Sequence, residues 1–100
     1  LTGGTGADRF RFFTWETGVG AGNRDIVTDF SQAQGDELDL SFIVGLDYIG
    51  QNAFTAEGQV RWTQSGGDTI VAINYVGASG ADMQIQLEGN INLVEGDFIL

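Results

Sequence analysis

Gly3-Gly4-Thr5-Gly6-Ala7-Asp8-Arg9-Phe10-Arg11 satisfies each fixed position of the nonapeptide G-G-x-G-x-D-x-U-x, in which U is a large apolar residue. The glycines permit a tight turn whose backbone carbonyls converge on a cation. Asp8 adds a charged oxygen, and Phe10 opens a short strand with its ring turned inward. The candidate calcium ligands are the carbonyl oxygens of Gly3, Gly4, Thr5 and Gly6 and the carboxylate of Asp8, a donor set suited to a hard cation that takes roughly six to eight oxygens at about 2.3–2.6 Å. In repeats of this kind the ion sits between stacked turns, so one copy is half a site. Its place at the start of the chain reads as the last turn of a longer array, with Leu1 not a natural beginning.

Outward from the nonapeptide, residues 9–13 read as a strand and Thr17-Gly18-Val19-Gly20-Ala21-Gly22-Asn23 as a glycine-rich loop. Glu16 and Asp25 flank that loop, and chain reversal can return either or both to the ion. The alternatives stay open: an exposed loop acid for Glu16, a cap or turn residue for Asp25. Asp25-Ile26-Val27-Thr28-Asp29-Phe30 is a short apolar-acidic element of undecided type. Glu37-Leu38-Asp39-Leu40-Ser41 alternates with a period of two, as a half-buried strand does. In residues 42–55, Leu46, Ile49 and Phe54 fit either a short helix or an irregular apolar loop.

The second half carries clearer strand signals at 59–63, 69–76, 83–88 and 98–100, in outline a β-meander with Ser65-Gly66-Gly67-Asp68 as a hairpin turn. Met83, Ile85 and Leu87 alternate with Gln84, Gln86 and Glu88, which predicts one face on a core and one in water. Val71, Ile73 and Tyr75 are expected on the same core. Val60 and Trp62 alternate and point inward together.

The chain is 42% hydrophobic and 11% aromatic over 100 residues, enough for one folded domain. Four arginines, no lysine and fourteen acids leave a net charge of −10, which repels nucleic acid and anionic membranes and attracts divalent cations. There is no cysteine and no histidine, so disulfides, thiolate metal sites and the commonest acid/base catalyst are all excluded. An enzymatic role would need a carboxylate-only mechanism and ranks last. Asp29, Asp36, Glu37 and Asp39 form an acidic cluster, but its spacing fits no EF-hand loop. For Asp36 and Asp39, turn and strand-edge hydrogen bonding outweighs catalysis. Trp15, Trp62, Tyr48 and Tyr75 would supply stacking faces if the chain were instead a carbohydrate- or surface-binding module with structural calcium. Core packing is the reading preferred for them.

Taken in order, the nonapeptide, Asp25-Ile26-Val27-Thr28-Asp29-Phe30 and Gly35-Asp36-Glu37-Leu38-Asp39-Leu40-Ser41 resemble the repeat, D-x-x-x-D-F and G-D-x-I-D-L-S segments of the C-terminal region of serralysin-type secreted metalloproteases, members of the RTX group. Asn52-Ala53-Phe54, Gly58-Gln59-Val60, Ala81-Asp82 and Gly96-Asp97-Phe98-Ile99-Leu100 extend the resemblance along nearly the whole chain. The chain departs from the family pattern in having a single nonapeptide. The resemblance implies an all-β fold: the end of a parallel β-roll (residues 1–13) leading into a capping antiparallel β-sandwich (residues 24–100). It further implies a non-catalytic module binding Ca2+, exported by a type I (ABC transporter) machinery to the extracellular space and folding there. Upstream repeats and a catalytic domain, such as a zinc protease, would be its partners within the parent chain. Asp97, Phe98, Ile99 and Leu100, an acid followed by three apolar residues, resemble the family's C-terminal secretion signal.

Overall fold

The computed structural model describes residues 4, 6–12, 24–43, 45–75 and 80–100. Among these residues lie eight strands: β1 (Arg9–Arg11), β2 (Asp25–Val27), β3 (Glu37–Asp39), β4 (Asp47–Tyr48), β5 (Gln59–Ser65), β6 (Asp68–Asn74), β7 (Met83–Glu88) and β8 (Phe98–Ile99). The only helical pieces among the described residues are single 3-10 turns at Gln32–Gln34 and Glu95–Asp97. The fold is all-β, as expected. Its strands form a three-stranded sheet in the order β1-β3-β8 and a five-stranded sheet in the order β2-β7-β6-β5-β4.

The β5–β6 hairpin follows directly from its turn. Gly66 and Gly67 have φ of 60° and 91°, the left-handed backbone that a two-residue hairpin loop needs at both central positions, and Ser65 pairs with Asp68 across it. From there β5, β6 and β7 run antiparallel through continuous ladders. Met83, Ile85 and Leu87 are fully buried while Gln84, Gln86 and Glu88 face outward, the alternation read from the sequence. Val60, Trp62, Val71 and Ile73 lie on the same inner face. Trp62 is therefore a core residue, its indole Nε1 donating to the Tyr48 hydroxyl at 3.0 Å. Trp15 lies outside the described residues.

The first part of the chain makes a coil instead of a meander. β1 lies in the small sheet, β2 in the large one, and β3 returns to the small sheet parallel to β1, with Arg9 opposite Glu37 and Arg11 opposite Asp39. Alternation points Phe10, Phe12, Leu38 and Leu40 inward, where they join Val27, Phe30, Ile85 and Leu87 in one core shared by both sheets. Burying each such side chain contributes about 1.5–3 kcal/mol.

Two expectations need correction. The final strand does not extend the meander: β8 pairs in parallel with β3, placing Phe98 opposite Leu38. The reason is that β7 already has β6 on one side and β2 on the other, so that edge of the large sheet is closed. The large sheet is also mixed, because β2 joins β7 and β4 joins β5 in parallel. The described residues of the undecided stretch 42–55 are irregular apart from β4, with Ile43 and Leu46 buried in the core.

Candidate metal centre

The nonapeptide turn is shaped by its glycines and held by carboxylates. Gly4 and Gly6 have φ of 82° and 87°, and a Cβ added at either would meet nothing within 4 Å, so backbone conformation and not space requires glycine there. The Gly4 amide donates to Asp29 Oδ2 at 2.7 Å, and the Asp8 amide donates to Asp36 Oδ1 at 2.8 Å. Residues 31–36 form a second turn directly against the first. A Cβ on Gly35 would sit 3.5 Å from that of Ala7, and the Glu37 amide donates to the Asp8 carbonyl at 2.9 Å to start the β1–β3 ladder.

Asp36 knits this second turn together. It is buried, its Oδ2 accepts from the Ser31 amide at 2.9 Å, and its own amide donates to the Ser31 carbonyl at 3.0 Å. Asp39, also buried, accepts from the Ser41 amide and hydroxyl at 3.0 and 2.6 Å and from Arg11 Nε at 3.4 Å. Those bonds, led by the Ser41 hydroxyl, hold its carboxyl below the ordinary range. The turn and strand-edge roles expected of Asp36 and Asp39 are the ones these contacts describe.

Asp8 differs from both. Its Oδ2 is shielded from solvent and has no hydrogen-bond partner among the described residues. Burial, then the charge of Asp36, then that of Asp29 push its carboxyl above the ordinary value of 3.8. A carboxylate oxygen without a donor, beside two further carboxylates in a turn of left-handed glycines, fits a hard divalent cation in both charge and donor chemistry. No three acidic side chains among the described residues gather into a ready-made metal cage. Asp29 and Asp36 instead place carboxylate oxygens on the Gly4, Asp8 and Ser31 amides.

Of the other sequence candidates, Gly3, Thr5 and Glu16 lie outside the described residues. Asp25 starts β2, in register with Ile85 of the large sheet, and the carboxylate that reaches the Gly4 amide is that of Asp29, just past the end of that strand. The sequence places Asp29 and Asp36 in one acidic cluster and marks Asp36 as a turn residue, without tying either to the Asp8 turn. The signal that could have separated them was their place in the D-x-x-x-D-F and G-D segments.

A family model for the Peptidase M10 serralysin C terminal matches residues 2–100. The chain belongs to the serralysin C-terminal family. No curated protein matches it. The family consists of C-terminal, non-catalytic modules of M10 proteases, in keeping with a chain that lacks histidine and cysteine.

The tail of this serralysin-type module is built into the fold. Asp97 is buried; its Oδ2 accepts from Gln32 Nε2 at 2.7 Å and from the Val94 amide at 2.9 Å. The Phe98 ring packs 5.4 Å from that of Tyr48, and the Ile99 carbonyl accepts from the Leu40 amide at 2.8 Å. Leu100 remains 42% exposed. Among the described residues no helix is long and apolar enough to cross a membrane.

Proposed function

We propose that the chain is a calcium-binding, non-catalytic module of a secreted parent protein, folding on calcium and carrying a type I secretion signal at residues 97–100. The observation that carries the reading is the shielded Asp8 Oδ2, without a hydrogen-bond partner among the described residues, beside Asp36 and Asp29. Asp8 and the carbonyls of Gly3, Gly4, Thr5 and Gly6 would hold the ion, with Glu16 and Asp25 as further candidates; Asp29 and Asp36 would position the turn through its amides. A bound divalent charge offsets the mutual repulsion of these carboxylates and supplies the stabilisation that disulfides cannot give a chain without cysteine.

The coil β1-β2-β3 supports reading residues 1–13 as the last turn of a parallel β-roll and residues 24–100 as its cap, with upstream repeats and a catalytic domain, such as a serralysin-like zinc protease, in the parent. Where calcium is scarce, a net charge of −10 keeps the acidic turns apart and the chain open enough to thread an ABC-transporter exporter. Outside the cell, binding energy becomes folding energy.

The test is far-UV circular dichroism after chelation, titrated with calcium and with magnesium as control, for the wild type and Asp8→Ala. A calcium-specific gain of β-signal that requires Asp8 is the expected result. A folded chain indifferent to calcium would reduce the nonapeptide to a turn. For the tail, a chain lacking residues 97–100 should fail to be exported, and normal export of it would remove the signal from the reading.

A further inference from the structure

Residues 31–36 touch both the nonapeptide turn and the C-terminal tail. On one side Asp36 Oδ1 accepts from the Asp8 amide. Within the segment, Asp36 grips Ser31 through both its carboxylate and its own amide, and the Ser31 side chain caps the 3-10 turn by accepting from the Gln34 amide at 3.3 Å. On the other side Gln32, the first residue of that 3-10 turn, spends its carboxamide on the tail region: Nε2 donates to Asp97 Oδ2 at 2.7 Å and to the Asn92 carbonyl at 2.9 Å. The chain of contacts is unbroken: Asp8 amide, Asp36, Ser31, Gln32, Asp97.

Besides the Gln32–Asp97 bond the tail is held by the short β8 ladder, the Val94 amide on Asp97 and the buried Phe98 ring against Tyr48. β8 is two residues long and occupies an edge of the small sheet. Its attachment to β3 includes the Leu40 amide on the Ile99 carbonyl, and its apolar anchor is Phe98. Short edge strands with few backbone bonds open at low free energy, so a charge-assisted bond at the strand's first turn has a large share in keeping it docked. Asp97 itself caps that turn through the Val94 amide, and losing Gln32 would leave its buried carboxylate one donor short.

We propose that the 31–36 segment, with Gln32 as its positioning residue, is a relay that couples docking of the tail strand to order in the turn carrying Asp8. Residues 97–100 are then open to a partner only while the Asp8 turn is loose, and ordering of that turn withdraws them into the sheet. By reciprocity, a docked tail tightens the Asp8 turn by the same factor. The identity of the partner, an exporter, rests on the reading given under Proposed function; the coupling does not.

The test is amide hydrogen exchange on the whole chain, wild type against Gln32→Ala, first in chelator and then in calcium. The exposed site of Gln32 leaves the core untouched. The Leu40 amide reports tail docking, the Asp8 and Glu37 amides report the turn, and the Val71 amide in β6 is the control. Gln32→Ala is expected to speed exchange at Leu40 about tenfold and to speed Asp8 and Glu37 as well, with Val71 unchanged. Faster exchange at Leu40 alone, or no change at any of the three, overturns the relay. The chelator arm judges the relay by itself. Wild-type Asp8 and Glu37 amides that ignore calcium would instead count against the calcium reading, so the two failures are distinguishable. As a second variant, Asp97→Asn weakens the same bond from the tail side and should reproduce the pattern; Asp8 and Glu37 amides unmoved by it count against the coupling.

Discussion

The β5-β6-β7 meander and the β1-β2-β3 coil share one hydrophobic core but are held together differently. In the meander, strands of six and seven residues pair along their length, and the inner face is a closed set of aliphatic residues around Trp62. In the coil, the strands are three residues each and the connections are clamped by carboxylates on backbone amides: Asp29 on Gly4, Asp36 on Asp8 and Ser31. The first arrangement closes chiefly through apolar burial and long backbone ladders, with Thr69 and Asn74 buried among them. The second gathers like charges that burial makes worse, so on the proposed calcium reading its stability would depend on a bound cation. One core thus joins a half closed by its own side chains to one that, on the proposed reading, an ion would complete.

That contrast breaks most visibly in the meander. Ile73→Ala deletes a fully buried side chain between β5 and β7 and should cost about 2–5 kcal/mol by urea denaturation, by the same amount with and without calcium. A calcium-dependent loss would mean that the two halves are less distinct than their contacts imply. Calcium removal comes next: at a hundredfold excess over Kd one site contributes about 2.7 kcal/mol. In chelator, exchange should quicken first at the Asp8, Glu37 and Phe12 amides and last at those of β6 and β7.

Asp8→Asn sharpens the comparison, because it keeps the shape and removes the charge. In chelator at neutral pH the variant should be at least as stable as the wild type, since a repelled, shielded carboxylate is gone; in calcium it should be the less stable of the two. The pH dependence has a definite sign. The raised carboxyl of Asp8 favours folding when protonated, so its contribution is present below the ordinary carboxylate value and lost as pH rises through the raised one. The gap between Asp8→Asn and the metal-free wild type should therefore close on acidification. Asp39 acts oppositely: its lowered carboxyl stabilises above the ordinary value and fails as pH falls through the lowered one. Thermal melts of both proteins across that range check each sign. The smallest effect belongs to the Arg9–Glu37 pair, 4.0 Å apart and exposed: Arg9→Ala should change stability by less than about 0.5 kcal/mol.

Much of the meander was legible in the chain alone. Period-two alternation at 83–88 and the Gly66-Gly67 turn are local signals, and local steric and burial rules suffice to convert them into strands and a hairpin. The coil was legible as a motif and not as a geometry. The nonapeptide marked Asp8, but which acids approach it depends on the parallel pairing of β1 with β3 across a register offset from Arg9 to Glu37. No local pattern encodes that offset.

The sequence by itself determined an all-β chain, its family, the left-handed glycine turn and the inward faces of β5, β6 and β7, because each of these follows from residue type and spacing over a few positions. Only the tertiary structure decided that Asp29 and Asp36 brace the Asp8 turn, that the large sheet is mixed, and that the tail leaves the meander to lie beside β3. Those outcomes turn on which sheet edges remain open after the rest of the chain has paired, and on carboxylates meeting amides from distant parts of the sequence.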